Sequence, residues 1–154
     1  MPSCRGGAPT PGSSIGRMQP LAVHHVGLAV ADLDDAIETY VALLGGKLEH
    51  REVLADQGVE AASVVFGPSK IELLAPTGED TPVGRFLAKR GPGMHHVAYE
   101  VDDVARALAD LASAGAELID SVPRRGLFGL QVAFIHPDAV HGVLTEVVAV
   151  ARVT

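Results

Sequence analysis

The chain has 154 residues and a formal net charge of −7 at pH 7, with 19 acidic residues against 12 Lys and Arg. This acidic balance argues against a nucleic-acid partner, since nucleic-acid-binding domains are usually basic, and no apolar run approaches the roughly 20 residues of a membrane span. The one cysteine, Cys4, excludes an internal disulfide, and 47% apolar residues are typical of a globular domain rather than a disordered chain. We therefore expect a soluble, cytoplasmic protein without a membrane or nucleic-acid partner.

The first 20 residues differ in composition from the rest of the chain. Residues 1–20 hold four Gly, four Pro and three Ser but no acidic residue. Such a segment buries too little apolar surface to offset its ordering entropy. We predict that residues 1–20 form a disordered N-terminal tail and that residues 21–151 form a single domain.

An internal repeat organises this domain. Residues 23–36 read VHHVGLAVADLDDA and residues 94–107 read MHHVAYEVDDVARA, with six of fourteen positions identical. In each copy a strand-like segment is followed by apolar residues at helical spacing. Asp32 and Asp103 stand where a helix N-cap is expected.

Strand-like segments follow the helix in both copies. They are predicted at 47–54, 59–66 and 70–75 in the first copy, and near 116–121, 130–136 and 142–150 in the second. The sequence thus predicts an α+β fold of two tandem βαβββ modules. Module 1 spans about 21–78, a bridging helix lies at about 80–91, and module 2 spans about 92–151.

The doubled histidines lie in the first strand of each module. Side chains on a strand alternate between its two faces, so His25 shares a face with Gly27 and Ala29, and His96 shares a face with Ala98. Small residues leave room for a cavity on that face. We therefore predict that His25 and His96 line a cavity, and that His24 and His95 are edge or core residues.

One acidic residue interrupts the last apolar strand of each module. Glu72 lies in KIELL and Glu146 in VLTEV, and unpaired carboxylates are rare inside such strands. If a pseudo-twofold axis relates the modules, these carboxylates converge with His25 and His96. Two imidazoles and two carboxylates form a suitable site for a divalent metal ion with room for substrate.

Longer stretches resemble the vicinal oxygen chelate superfamily and, within it, the methylmalonyl-CoA epimerases. These stretches are HHVGLAVADLDDAIETY, KIELLAP, DTPVGRFLAKRGPGMHHVAYEVDD and VAFIHPDAVHGVLTEVV. The resemblance implies a cupped, barrel-like mixed sheet around one divalent ion, with Co²⁺ favoured and Mn²⁺, Ni²⁺ or Zn²⁺ as alternatives. It also implies a homodimer that interconverts (2R)- and (2S)-methylmalonyl-CoA by proton abstraction at C2.

The resemblance also assigns residue roles. It implies that His25, Glu72, His96 and Glu146 are the metal ligands, and that Glu146 is also an acid/base. Some members carry a second catalytic glutamate four residues after the glutamine of a QGV motif, and here that position is Ala61. The second base is therefore Glu72, or Glu60 if a bulge turns it inward, since Glu60 should otherwise point to the other face.

Binding of coenzyme A requires a local basic patch on this acidic protein. The candidates are Arg124 and Arg125 in PRRGLFG and Lys89 on the bridging helix, with Arg85 and Arg90 as further options on that helix. His136 and His141 flank the last hairpin, and we expect structural or surface roles for both.

Two other functions stay open at this point. A glyoxalase I-type isomerase (lactoylglutathione lyase) shares the His/Glu/His/Glu set and also works through a metal enediolate, although the FLAKRG and HPDAVHGVLTE stretches favour the epimerase. A non-catalytic small-molecule-binding protein of the same fold would generally lack the metal ligands.

Overall fold

The computed structural model describes residues 17–150. Within these residues, eight strands form one mixed sheet, to which each half of the chain contributes four neighbouring strands. The strands follow the order β2-β3-β4-β1-β5-β8-β7-β6 across the sheet. Their bounds are β1 Ala22–Ala29, β2 Lys47–Leu54, β3 Val59–Phe66, β4 Ser69–Pro76, β5 Gly93–Glu100, β6 Arg124–Arg125, β7 Gln131–Ile135 and β8 Thr145–Ala149. This arrangement confirms the predicted α+β fold of two tandem βαβββ units.

In the part of the chain that the structure describes, three α-helices accompany the sheet: α1 Leu33–Ala42, α2 Pro82–Arg90 and α3 Val104–Ser113. The caps of α1 and α3 are those predicted, because the Asp35 N–H donates to Asp32 (2.9 Å) and the Arg106 N–H donates to Asp103 (3.1 Å). The bridging helix α2 begins after Thr81, whose hydroxyl accepts the Gly84 N–H. Each carboxylate or hydroxyl satisfies a backbone donor that the first helical turn leaves unpaired.

The predicted strand at 116–121 is wrong. The segment makes one isolated bridge, between Leu118 and Ile135, and β6 is a two-residue strand that the sequence pattern did not predict. The side chain of Asp120 explains the break, because it accepts the Phe134 N–H (2.8 Å) in place of a backbone carbonyl. A short polar side chain thus competes with backbone carbonyl groups for the hydrogen bonds that would pair this segment with the neighbouring strand. The last strand, β8, also begins at Thr145, three residues later than predicted.

The two faces of β1 pack as their alternation predicts. Leu28 and Val30 pack with α1 in one apolar cluster, whereas the fully buried Ala29 belongs to a second cluster on the other face. In the second half of the chain, α3 packs on β7 and β8 through Val104, Ala107 and Leu108. The helices α1 and α3 thus cover one face of the sheet, and the opposite face is left to form a cavity.

The two ends of the sheet are joined by polar contacts that close it into a cup. On β2, Glu52 accepts hydrogen bonds from the Arg125 guanidinium (3.0 Å) and from the Phe128 N–H (3.2 Å). The Gln57 amide donates to the Arg125 carbonyl (2.6 Å). These bonds link β2 and the turn that follows it to β6 and the loop that follows it, so the outermost strands of the two halves are joined.

Most of the predicted tail lies outside the described residues, as do Cys4 and the end of module 2. Residues 17–20 form no helix or strand, although Met18 packs on the apolar cluster around α3. Within residues 17–150, no helix is long and apolar enough to cross a membrane.

Candidate metal centre and substrate cavity

Two cross-strand rows position the four predicted ligands. In the first row, Gly27 of β1 lies between Glu72 of β4 and His96 of β5. In the second row, Ala98 of β5 lies between Glu146 of β8 and His25 of β1. Each row therefore carries a carboxylate, a small residue and an imidazole, and the two rows run in opposite directions across the β1–β5 pair.

Gly27 allows the close approach of His96. A Cβ atom built on Gly27 would lie 2.1 Å from the His96 Cε1 atom and 2.3 Å from its Nδ1 atom. Any side chain at position 27 would therefore displace the imidazole, so glycine is required here by contact rather than by backbone conformation.

The four side chains meet at the centre of the β1–β5 pair. The His25 and His96 Nε2 atoms lie 3.0 Å apart. The Glu72 Oε2 atom lies 3.3 Å from His25 Nε2, and the Glu146 Oε2 atom lies 3.3 Å from His96 Nε2. His25, His96 and Glu146 are buried, whereas the Glu72 side chain is 16% exposed. The structure thus brings together all four residues that the sequence predicted as ligands.

Burial governs the protonation of this cluster. Removal from water lowers the pKa of His25 to about 3, with the neighbouring His24 adding to the effect, and lowers the pKa of His96 well below its usual value. Burial raises the pKa of Glu72 to about 7 and that of Glu146 well above its usual range. Both histidines are therefore neutral lone-pair donors, and at both carboxylates burial outweighs the opposing effect of a nearby cation, Lys70 for the Glu72 pKa and Arg124 for the Glu146 pKa.

This donor set fits a divalent cation. Among the described residues, neither Glu72 nor Glu146 forms a salt bridge with Lys or Arg. One ligand atom from each of His25, Glu72 and His96 lies within 4.8 Å of the other two, and Glu146 joins this group through His96. Imidazole nitrogen and carboxylate oxygen suit Zn²⁺, Mn²⁺, Co²⁺ and Ni²⁺.

A cavity of about 550 Å³ lies beside the cluster. Glu72, His96 and Glu146 form part of its wall, together with apolar residues from both halves of the chain, among them Leu54, Leu74, Leu127, Val132 and Phe134. Its size is within the range of small-molecule sites, and its mainly apolar wall with a few convergent polar groups is typical of them.

The predicted basic residues take different positions. Arg124 lines the cavity, where it pairs with Asp120 (2.8 Å) and lies over the Phe134 ring. Arg125 is exposed and bridges to Glu52, and Lys89 is exposed on α2 outside the cavity wall.

The structure does not bring Glu60 to the cluster. Its carboxylate accepts a hydrogen bond from Arg51 (2.6 Å), outside the cavity wall. Ala61, the residue at the motif position where a glutamate is found in some family members, is fully buried in the apolar core.

The two histidines that flank the last hairpin have the structural or surface roles expected of them. His136 caps a short 3₁₀ turn, and His141 lies at the surface.

Two β-bulges at the site were missed by the strand alternation. Val23 and His25 pair with Tyr99 and Ala98, which leaves His24 as an extra residue of β1. Gly27 and Leu28 pair with His96 and Met94, which leaves His95 as an extra residue of β5. His95 therefore lines the cavity, although it was expected at an edge or in the core. The His-His pair that occurs in both copies of the repeat is a sequence signal for this feature. It does not reveal the bulges, because a bulge is defined by how two strands pair.

Comparisons with known proteins agree with this geometry. A sequence profile described as "Glyoxalase/Bleomycin resistance protein/Dioxygenase superfamily" matches residues 24–134. The chain is 38% identical over 126 residues to the ethylmalonyl-CoA/methylmalonyl-CoA epimerase of Cereibacter sphaeroides, a match that covers 80% of this chain and 94% of the relative. It is 37% identical over 125 residues to human mitochondrial methylmalonyl-CoA epimerase, covering 80% and 71% of the two chains.

Solved structures show the same relationship. The crystal structure of methylmalonyl-CoA epimerase from Mycobacterium tuberculosis matches with a TM-score of 0.83 and 40% identity over 86% of this chain and 90% of that one. A methylmalonyl-CoA epimerase in complex with methylmalonyl-CoA and NH4+ matches with a TM-score of 0.84 and 40% identity, over 88% and 98%.

The paired modules and their central His/Glu cluster define a glyoxalase-type fold, the class that the sequence resemblance indicated. Within that superfamily, the chain belongs to the methylmalonyl-CoA epimerase family.

Proposed function

We propose that this protein is a metal-dependent epimerase that interconverts (2R)- and (2S)-methylmalonyl-CoA. The observation that carries the proposal is the placement of two carboxylates in the wall of a large cavity, one from each half of the sheet and on either side of the His25–His96 pair. Epimerisation at C2 requires one group to remove the proton from one face and another group to return it on the other face. Family membership and the relatives' substrates support the same reaction.

We propose that His25, Glu72, His96 and Glu146 hold one divalent ion, with Co²⁺ favoured over Mn²⁺, Ni²⁺ and Zn²⁺. When bound, such an ion is a Lewis acid that stabilises negative charge developing on the substrate oxygens. Losing one such stabilising donor typically slows a reaction about 10²–10³-fold.

The protein's own groups move the proton. In the proposal, Glu146 serves one face of C2 through a carboxylate oxygen and Glu72 serves the other, and each transfer contributes roughly 10²–10⁴-fold. Glu72 is on β4 and Glu146 is on β8. These strands flank the β1–β5 pair that carries the two histidines, so the two carboxylates lie on opposite sides of the histidine pair. The ion pair between Glu60 and Arg51 favours Glu72 over Glu60 as the second base.

Arg124 is the best-placed of the predicted substrate-binding residues. Its guanidinium is in the cavity wall, where it can pair with an anionic group of the thioester substrate. For Arg125 and Lys89, a role at the phosphates of coenzyme A stays a prediction. The homodimer, which the family resemblance implies, and the cytoplasmic location, which is expected from the composition, also stay predictions.

Deuterium incorporation at C2 of methylmalonyl-CoA tests this function. The protein is incubated with the substrate in D₂O with either Co²⁺ or EDTA, and the C2 proton is followed by NMR. We expect rapid exchange and interconversion of the epimers with Co²⁺ and no exchange above the buffer rate with EDTA.

The alternative functions give other results in the same assay. Turnover of the methylglyoxal–glutathione hemithioacetal without exchange on methylmalonyl-CoA would contradict the epimerase and favour a glyoxalase I-type isomerase. Fully folded protein that binds no metal and turns over neither substrate would favour a non-catalytic binding protein.

A further inference from the structure

Each ligand histidine has another histidine directly before it in the chain, and the two pairs have the same geometry. The His24 and His25 Nδ1 atoms lie 2.8 Å apart, and the His95 and His96 Nδ1 atoms lie 2.9 Å apart. Consecutive residues of a regular strand point to opposite faces, so their rings would not normally meet.

The two β-bulges explain how these rings meet. Each strand of the β1–β5 pair has one extra residue, which is His24 in β1 and His95 in β5. A bulge re-aims the side chain of the residue that it leaves unpaired. The repeat has thus placed a bulge at the same position in both modules, and in both it directs an imidazole to the Nδ1 atom of the next residue.

We propose that His24 and His95 are positioning residues that fix the tautomers of His25 and His96 for metal binding. The inference rests on the proposed metal site. In each pair the ligand histidine carries its proton on Nδ1 and donates it to the Nδ1 atom of the preceding histidine, whose own proton is on Nε2. The ligand's Nε2 lone pair is then free and faces the centre of the cluster.

The direction of this hydrogen bond decides whether a ligand is available. A neutral imidazole has one N–H, so a ring that accepts at Nδ1 must carry its proton on Nε2. A reversed bond would therefore leave an N–H on the Nε2 atoms, which lie 3.0 Å apart at the centre of the cluster. Metal-bound histidines generally donate their other N–H to a partner that fixes the ring, and loss of that partner typically weakens metal binding about 10–100-fold.

The tautomers can be read directly in the wild-type protein. We would record long-range ¹H–¹⁵N spectra of the imidazole rings in the full chain loaded with diamagnetic Zn²⁺. The expected result is an Nδ1–H tautomer for His25 and His96 and an Nε2–H tautomer for His24 and His95. An Nδ1–H tautomer for His24 and His95, or a wild-type protein that binds no Zn²⁺, would overturn the proposal.

Two substitutions at each position separate hydrogen bonding from shape. His24→Leu and His24→Asn have similar branching at Cγ, but only asparagine offers an acceptor oxygen bonded to Cγ, where histidine has Nδ1. We expect His24→Leu to weaken Co²⁺ binding about 10–100-fold in a chelator competition, and His24→Asn to restore most of the affinity. His95→Leu and His95→Asn should behave in the same way.

His50→Leu is the matched control, because His50 is also half-buried but pairs with Glu52 away from the cluster. Its Co²⁺ affinity should equal that of the wild type. Equal affinities for the Leu and Asn variants would contradict the proposal. The assay needs no thioester, so a protein that shows the His24 effect but exchanges no C2 proton would contradict the epimerase function and leave this inference standing.

Discussion

In module 1 the outer strand β2 has eight residues and pairs with β3 along its whole length, whereas its counterpart in module 2, β6, is only Arg124–Arg125. The inner strands differ far less. The pairs β1–β4 and β5–β8 are both parallel, and each brings a glutamate beside a small residue of the strand next to it. The repeat is thus kept at the centre of the sheet, where the two half-sites meet, and lost at the outer ends of the sheet.

The largest expected effect is the loss of a ligand histidine from either module. His25→Ala and His96→Ala should each abolish stable Co²⁺ binding and slow C2 exchange by at least about 100-fold, because each removes one of four donors. Metal content after gel filtration and the initial exchange rate would be measured. The exposed His141→Ala is the control, and a ligand variant that keeps its metal and its rate would contradict the equivalence of the half-sites.

Substitutions of Gly27 and Ala98, the small residues at the centre of the two cross-strand rows, should have different effects. Gly27→Ala would place a Cβ atom 2.1 Å from the His96 ring, and a displacement of about 1 Å can cost about 10²-fold in rate. Ala98→Gly adds no atom and should cost only about 0.5–1 kcal/mol of unfolding free energy. Exchange rate and urea denaturation separate the two effects. Gly93→Ala, on the same sheet with open space around it, should keep the wild-type rate.

The two adjacent arginines of β6 allow a matched comparison with a smaller expected effect. Arg124→Gln should raise KM about 10-fold or more, since a hydrogen bond to a charged group contributes about 1.5–3 kcal/mol. Arg125 is exposed and outside the cavity wall, so Arg125→Gln should raise KM by a smaller factor than Arg124→Gln does, in line with the small contribution of exposed ion pairs. Steady-state kinetics with methylmalonyl-CoA would measure both. A larger rise of KM in Arg125→Gln than in Arg124→Gln would contradict the proposal that Arg124 is the best-placed substrate-binding residue.

The smallest effects are expected at the helix caps, which are equivalent in the two modules. Asp32→Ala and Asp103→Ala each remove a side-chain acceptor from a helix N-terminus and should each cost about 1 kcal/mol of unfolding free energy. Urea denaturation would measure both. The Co²⁺ affinity of both variants should be unchanged, and a loss of metal binding would show that the caps also position the site.

Local patterns in the sequence predicted most of this fold. The repeat, the capping aspartates and the strand alternation each depend on residues close together in the chain, so they can be recognised without the tertiary structure. The strand expected at 116–121 was wrong because the Asp120 side chain takes the place of a ladder acceptor. That competition depends on Phe134, which lies on another strand.

The site was predictable to the extent that it follows the repeat. His25, His96, Glu72 and Glu146 could be chosen because each has a counterpart in the other module. The positions of His24 and His95 could not, because a bulge is defined by the pairing of β1 with β5. The sequence likewise could not predict that Arg124 lines the cavity and Arg125 does not, because this difference depends on the shape of the cavity wall.

The measurement that tests the central claim most directly is epimer-resolved exchange in Glu72→Gln and Glu146→Gln. An amide oxygen keeps a donor for the metal ion but cannot accept the C2 proton. Each variant would be loaded with Co²⁺ and incubated in D₂O with separate (2R)- and (2S)-methylmalonyl-CoA. We predict that each variant retains exchange from one epimer only, and that the two variants retain opposite epimers. Loss of exchange from the same epimer in both variants, or full exchange of both epimers, would contradict a division of the proton transfer between the two modules.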